Sequence, residues 1–509
     1  MEGIIRMQKN NGRTRKAALN ISYNIFNQIL MLILSFISRT VFIWGFGVEY
    51  LGINGLFSDI LSLLSMADLG FNTAMTYSYY RPLAEKNYKK ISELTTFYKN
   101  VYNTIAFFIA LIGILLIPFL PILVNLKKDI PNLNIYYLLS LSSVVVSYLC
   151  VYKTTVLLAD QKGYILTKIN ILTNILKTIL QIFSIVLWKN YILYLIIGTV
   201  IAIGNNIYAS YVATKNYSYI QNKYCNISLE EKRNIFNNLK SVFLYKVSSV
   251  LLNATDNIII SALIGTAMVG YYSNYLLLQT KITTIISIIF TSMTASIGNL
   301  IVTEGKKKRY EIFRCEQSLS FIICGIVVPC YVLLANDFID VWLGELYQLD
   351  ICVVYAIGIN MYLSCVLQPL WSYREATGLY RKTKWVMMIC AIINIVLSIC
   401  LGRLFGVFGV IIASAISRII TYVWYEPHLL FKEYFGTSEF KYYYQIILNV
   451  ILITILILIG NQIGSLFNVI SLKTWFTKAV TIGIISVGGV IVTYYRSEGI
   501  KLLRNRIRK

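Results

Sequence analysis

Arg39, Lys246, Lys281, Asp68 and Asp256 are ionisable residues set inside runs of Leu, Ile, Phe and Val. A charge at mid-depth in a bilayer costs at least ~2.5 kcal/mol unless it meets water or a partner. Each of the five stands on or beside a polar stripe. Asn20, Asn24, Asn27, Gln28, Ser35 and Arg39 recur at three- and four-residue steps, as do Asn54, Ser58, Ser65, Asp68, Asn72 and Thr76 in the next run. A 3.6-residue helix gathers each set on one face. Lys246, Ser249, Asn253, Asp256 and Asn257 share a third face, and Asn274, Lys281, Ser292 and Asn299 a fourth.

Stripes of this kind predict the walls of a water-filled pathway, lined by Asn24, Asn72, Asn253 and Asn274 together with Arg39, Lys246 and Lys281. Structural ion pairing is the competing role for each charge. Three lining cations suit an anionic cargo group such as a phosphate. A carboxylate within the membrane suits a proton or sodium ion, because its protonation follows its surroundings. Asp68 and Asp256 are the candidates for ion coupling, with simple neutralisation of a nearby cation as the alternative. Lys153 and Arg418 stand near span ends, where long side chains snorkel to water. Lys177 lies deeper on a weak stripe and is open to either role. Asp59 falls about 100° from its stripe at helical geometry, which suits pairing with a neighbouring helix.

The elements that hold these residues are membrane helices. The chain has 509 residues, 57% hydrophobic and only 14% charged, with a mean hydropathy of +0.66. Soluble domains average about 25% charged residues. Apolar runs predict an all-α, polytopic membrane protein of about fourteen spans, at 17–44, 51–79, 99–125, 134–158, 164–187, 191–213, 240–264, 267–300, 314–336, 351–373, 383–404, 406–426, 442–464 and 475–495. Of the 46 basic residues, 34 fall on the side of the N-terminus and six on the other. The positive-inside rule then makes both termini cytoplasmic, and an even number of spans agrees.

The net charge of +23 follows this loop asymmetry and does not indicate nucleic acid. Nine scattered cysteines form no CxxC pair, and His428 is the only histidine, so no metal cluster or cofactor is expected. There is no phosphate-binding loop ending in Lys-Ser/Thr, and no cleavable leader is expected. Asp337, Asp340, Glu345 and Asp350 form an acidic outer stretch, read as solvated rather than as a calcium site.

Two echoes suggest internal repetition. Gly47–Gly52 has the glycine spacing of Gly265–Gly270, and Ala159–Lys168 resembles Ala376–Lys384. The expected organisation is a six-helix lobe at 1–214, a cytoplasmic linker at 215–239, a second six-helix lobe at 240–427, and two extra helices with a basic tail at 428–509.

This architecture, with Tyr50-Leu-Gly-Ile-Asn54 and Met66-Ala-Asp-Leu-Gly70, resembles the Wzx-like polysaccharide flippases. These are the O-antigen and capsule repeat-unit exporters of the multidrug/oligosaccharidyl-lipid/polysaccharide transporter superfamily. The resemblance implies a V-shaped bundle whose first, second, seventh and eighth helices line a central cavity. It implies a non-enzymatic flippase of the bacterial inner membrane, working by alternating access. The cargo would be an undecaprenyl-diphosphate-linked glycan moved from the cytoplasmic to the outer leaflet. Membrane lipids and a polymerase of the same pathway are the implied partners. Three alternatives compete. A lipid-linked peptidoglycan precursor flippase has the same chemistry. An ion-coupled small-molecule exporter should have a more acidic cavity. A polymerase or ligase should carry a substantial outer loop.

Overall fold

A peptide chain in lipid satisfies its backbone as helices or closed barrels. The computed structural model describes residues 2–68, 71–125, 130–221 and 227–507, and no strand occurs among them. The chain divides into two compact units, Met1–Val250 with Gly265–Ala267, and Leu251–Ile264 with Met268–Lys509.

The first unit holds α1 (Glu2–Leu64), α2 (Phe71–Ala84), α3 (Tyr88–Leu115), α4 (Leu120–Leu123), α5 (Leu133–Ala159), α6 (Gly163–Trp188) and α7 (Tyr191–Asn216). It also holds the start of α8 (Leu229–Leu263), which crosses the division at Val250. Sequence marks the helix starts. Asn87 and Asn190 accept the backbone N–H groups of Lys90 and Leu193, three residues on, satisfying donors that a helix N-terminus leaves open. Within the unit α5 packs between α3 and α7, and α6 lies against α1 and α7.

The second unit continues α8 and adds α9 (Thr266–Thr303), α10 (Lys306–Leu343), α11 (Ile351–Val366), α12 (Gln368–Thr377), α13 (Tyr380–Ile420), α14 (Tyr422–Leu430), α15 (Phe440–Gly464), α16 (Leu472–Tyr494) and α17 (Glu498–Ile507). Helix α10 is its hub, packed against α11, α15, α16 and α17. Small residues permit this closeness, as expected where lipid supplies no hydrophobic drive between helices. Gly325 faces Val490 of α16, and Gly358 of α11 faces Val332.

Among the described residues, ten helices are long and apolar enough to cross a bilayer, and the pair α11–α12, bent by 42°, makes an eleventh. Two of the ten are long enough for two crossings. Ser22–Leu64 has 43 residues and Tyr380–Phe435 has 56, or about 65 and 84 Å at 1.5 Å per residue, against a hydrocarbon core of ~30 Å. Each breaks at a glycine of positive φ, Gly47 (82°) and Gly406 (61°), where the backbone enters a region that side chains strongly disfavour. Counting two crossings for each, and adding α8, gives the expected fourteen.

The segment expected as one helix over 51–79 is interrupted. After Leu64 the chain tightens into a 3₁₀ turn at Ser65–Asp68, and a separate helix begins at Phe71. The break falls in the polar stripe, where Ser65 Oγ donates back to the Leu61 carbonyl, a side-chain bond that competes with helix geometry. The acidic outer stretch also resolves differently. Asp337 and Asp340 belong to the last turns of α10, Asp350 caps α11, and Asp337 accepts an ion pair from Lys478 of α16 at 2.6 Å.

Candidate functional site

The most developed polar site in the second unit lies where α8 meets α13. Helix α13 doubles back at Gly406. Its two arms are antiparallel, because contacting positions nest about Leu404 and Phe405, just before that glycine: Asn394 with Ser414, Ser398 with Val410, and Leu401 with Gly409. The approach is so close that a Cβ on Gly409 would sit 2.0 Å from the Leu401 carbonyl oxygen. Only glycine permits it.

This hairpin brings neutral oxygens to a single carboxylate. Ser414 Oγ lies 3.0 and 3.2 Å from the two oxygens of Asp256, which is half-buried. Asn394 Nδ2 donates to Ser414 Oγ at 2.8 Å and reaches Ser398 Oγ at 3.4 Å. Thr255 Oγ1 approaches Asn394 Oδ1 at 3.4 Å, and Ser398 Oγ lies 3.5 Å from the Val410 carbonyl. Asn394 and Ser398 are fully buried. A carboxylate bonded by a serine hydroxyl beside a helix break is chemistry suited to a proton or a monovalent cation. Among the described residues no three His, Cys, Asp or Glu side chains gather as they would for a multivalent metal.

The other sequence candidates of this unit stand apart in environment. Asn253 is exposed, Lys281 is half-buried, and Asn274 is fully buried on α9.

In the first unit the α1 stripe meets α6. Asn20 accepts the Tyr164 backbone N–H at 2.6 Å and donates to the Gln161 carbonyl at 2.9 Å, and Asn24 accepts from Thr167 Oγ1 at 3.1 Å. Arg39 lies beside Tyr194. That tyrosine belongs to an aromatic cluster with Phe42, Phe46, Tyr50, Tyr136 and Tyr191. Asn72 accepts from Thr155 Oγ1 of α5 at 3.2 Å. Lys246 is half-buried on α8, before the division. The side chain of Asp68 lies outside the described residues.

Sequence reading passed over Asn394, Ser398, Ser414 and Thr255. The signal was present in part. Asn394 and Ser398 are four apart in an apolar run, and Ser414 follows on the other side of Gly402, Gly406 and Gly409. Three glycines between that pair and Ser414 mark a hairpin that folds them together.

A model of the polysaccharide biosynthesis protein family matches residues 50–351, more than half of the chain. The chain belongs to that family. No curated protein matches this polysaccharide biosynthesis protein.

Solved structures are similar to it in fold. The lipid II flippase MurJ in an inward closed conformation is 17% identical, covers 94% of this chain and 99% of its own, and superposes with a TM-score of 0.67. An inward-facing multidrug resistance MATE family transporter of the MOP superfamily is 14% identical, with coverages of 78% and 93% and a TM-score of 0.54. A MATE transporter from Vibrio cholerae is 15% identical, with coverages of 81% and 95% and a TM-score of 0.52. At these identities the likeness is one of fold. This polysaccharide biosynthesis protein is a multi-pass membrane protein with the helical fold of the superfamily that its sequence resembles.

Proposed function

We propose that this polysaccharide biosynthesis protein is a lipid-linked oligosaccharide flippase. It moves undecaprenyl-diphosphate-linked repeat units from the cytoplasmic to the outer leaflet of a bacterial inner membrane by alternating access, with both termini cytoplasmic. The observation that carries this reading is the pairing of its family with a fold shared, over 94% of the chain, with a flippase of a lipid-linked precursor. In this reading Arg39, Lys246 and Lys281 contact the anionic head group, and Asn24, Asn72 and Asn253 offer hydrogen bonds to cargo or water. Asn274, fully buried, would act by shaping α9.

Asp256 is the coupling site, bonded by the hydroxyl of Ser414, which Asn394 holds in turn. A bound cation or proton neutralises the carboxylate and ties α8 to the hairpin arms. Release removes that tie and favours rearrangement. Asp68 is the corresponding candidate in the first unit. Without a nucleotide-binding loop in the sequence, the ion gradient supplies the direction of movement.

The likeness to the lipid II flippase favours one second reading, transport of the lipid-linked peptidoglycan precursor. Depletion in the native cell separates the two. The primary reading expects lipid-linked repeat units to accumulate on the inner leaflet and surface glycan to disappear while peptidoglycan synthesis continues. Unchanged surface glycan with arrested peptidoglycan would replace it with the second.

A further inference from the structure

Four helices of the second unit enclose a cavity of about 170 Å³ that the proposed transport mechanism does not use. It is lined by Arg314 of α10, Gln445 and Leu448 of α15, Thr493 and Tyr494 of α16, and Glu498 of α17. Its depth in the membrane follows from the chain. Arg314 and Lys441 stand at the starts of two apolar runs and Tyr494 at the end of a third, so three crossings begin or end at this level. Tyr442, Tyr443, Tyr444 and Tyr495 fall there too, as aromatic residues do at head-group depth.

Helix α17 closes the cavity. It follows α16 after a three-residue turn and packs against α10. Gly499 permits the closeness, since a Cβ there would collide with Ser318 Oγ and the Arg314 carbonyl oxygen. From this position Glu498 Oε2 accepts ion pairs from both Arg314 and Lys441, the second at 3.1 Å. Lys441, Gln445 and Leu448 share one face of α15 at steps of four and three. Lys441 is therefore carried on the side of α15 that lines the cavity.

The charges at this point do not balance. Two cations share the carboxylate of Glu498, the one acid among the lining residues, which leaves one positive charge over. Arg496 and Lys501, both exposed, flank Glu498 and add to it. Arg504 lies over the Tyr495 ring at 4.6 Å. A phosphate diester, with its single negative charge, complements such a site, and the planar guanidinium of Arg314 is suited to grip it. Basic recesses between crossings recognise lipid head groups in this way.

The mouth of the cavity selects the source of the phosphate. Leu448 is 42% exposed and Thr493 is exposed, and Ile447 and Val492 beside them are 57% and 83% exposed. On crossing helices such side chains face acyl chains. A ligand held here keeps its own chains in that lipid, which a free phosphate lacks.

We propose that this cavity binds the head group of an anionic phospholipid, in the leaflet on the side of the C-terminus. Arg314 and Lys441 take up its phosphate beside Glu498, whose charge weakens their attraction without cancelling it. The site rests on α10, α15, α16 and α17 alone and does not depend on the flippase reading.

Native mass spectrometry of the purified full-length protein tests it, in detergent carrying equal amounts of phosphatidylglycerol and phosphatidylethanolamine. Phosphatidylglycerol should be retained in preference. K441Q, a change at a side chain 52% exposed, should lower its retention by about fivefold, and R314Q/K441Q should abolish the preference. E498Q, which releases both cations, should raise retention. That rise separates a lipid site from a purely structural ion pair, whose loss would loosen α17 in every variant alike. Glycerol 3-phosphate at millimolar concentration should displace nothing. Equal retention of the two lipids, or K441Q and E498Q shifting retention in the same direction, overturns the site. Displacement by glycerol 3-phosphate overturns the lipid as its ligand. Should R314Q/K441Q fail to fold, K441Q and E498Q decide between them. Because no transport is measured, failure of the flippase reading would leave these results untouched.

Discussion

Ser414 donates its hydroxyl to the carboxylate of Asp256, 3.0 Å from Oδ2, across 158 positions of sequence. The contact exists because the α13 hairpin carries Ser414 back beside Asn394, which in turn holds the hydroxyl at 2.8 Å. A hydrogen bond to a charged group contributes about 1.5–3 kcal/mol. S414A should therefore weaken binding of the coupling ion by roughly tenfold or more, read as the ion concentration giving half-maximal transport. Unaltered ion dependence in S414A would remove the hairpin from the site.

The hairpin itself should be intolerant at Gly409 and less so at Gly406. A Cβ at Gly409 meets backbone, the Leu401 carbonyl oxygen at 2.0 Å and its carbon at 2.4 Å, whereas at Gly406 nothing lies within 4 Å and only the positive φ resists. Overpacking costs about 1–3 kcal/mol and at times more, and a strained φ/ψ about 1–3 kcal/mol. G409A combines a clash with a backbone that cannot yield, so its thermal unfolding in detergent should begin well below that of G406A. Equal midpoints would mean that the arms are not packed as described.

Two ion pairs beside α14 should behave oppositely. Arg374 and Glu426 form a two-pronged pair at 2.9 and 3.1 Å, with side chains 7% and 2% exposed. Removing one partner of a buried pair costs about 3–5 kcal/mol, while replacing both with apolar residues can be neutral. R374M should destabilise strongly and R374M/E426L should recover most of the loss.

His428 and Glu439 pair at 2.8 Å on the surface. The His428 hydrogen bond holds the Glu439 carboxyl below its ordinary range. A depressed carboxylate stabilises the fold above its unfolded pKa, about 4.3, and the gain is lost as pH falls through the folded value. Since Glu439 is half-buried and its partner His428 is exposed, E439Q should cost about 1 kcal/mol or less at neutral pH. That cost should vanish in acid, measured as the difference in unfolding midpoint against pH. A cost that grows on acidification would contradict the assignment.

Periodicity made much of this architecture legible. Apolar runs placed the helices, and the matched glycines Gly47 and Gly265 both adopt positive φ, as do Gln161 and Gly378 in the second echo. What periodicity does not encode is the neighbour that each stripe meets. Asn20 and Asn24 turn to the start of α6, and Asn274 is enclosed on α9. Such choices are made by tertiary packing. The partners of Asp256 escaped notice because an antiparallel hairpin joins residues at widening separations, a pattern with no fixed period.

The central claim is ion-coupled flipping of a lipid-linked glycan, and reconstitution tests it most directly. Proteoliposomes loaded on one leaflet with an undecaprenyl-diphosphate-linked oligosaccharide should move it to the other, faster under an imposed proton or sodium gradient. D256N should lose the gradient response, and R39A/K246A/K281A should lose transport while still inserting in the membrane. Equal flipping by the parent and the triple variant, or an undiminished gradient response in D256N, would contradict the account.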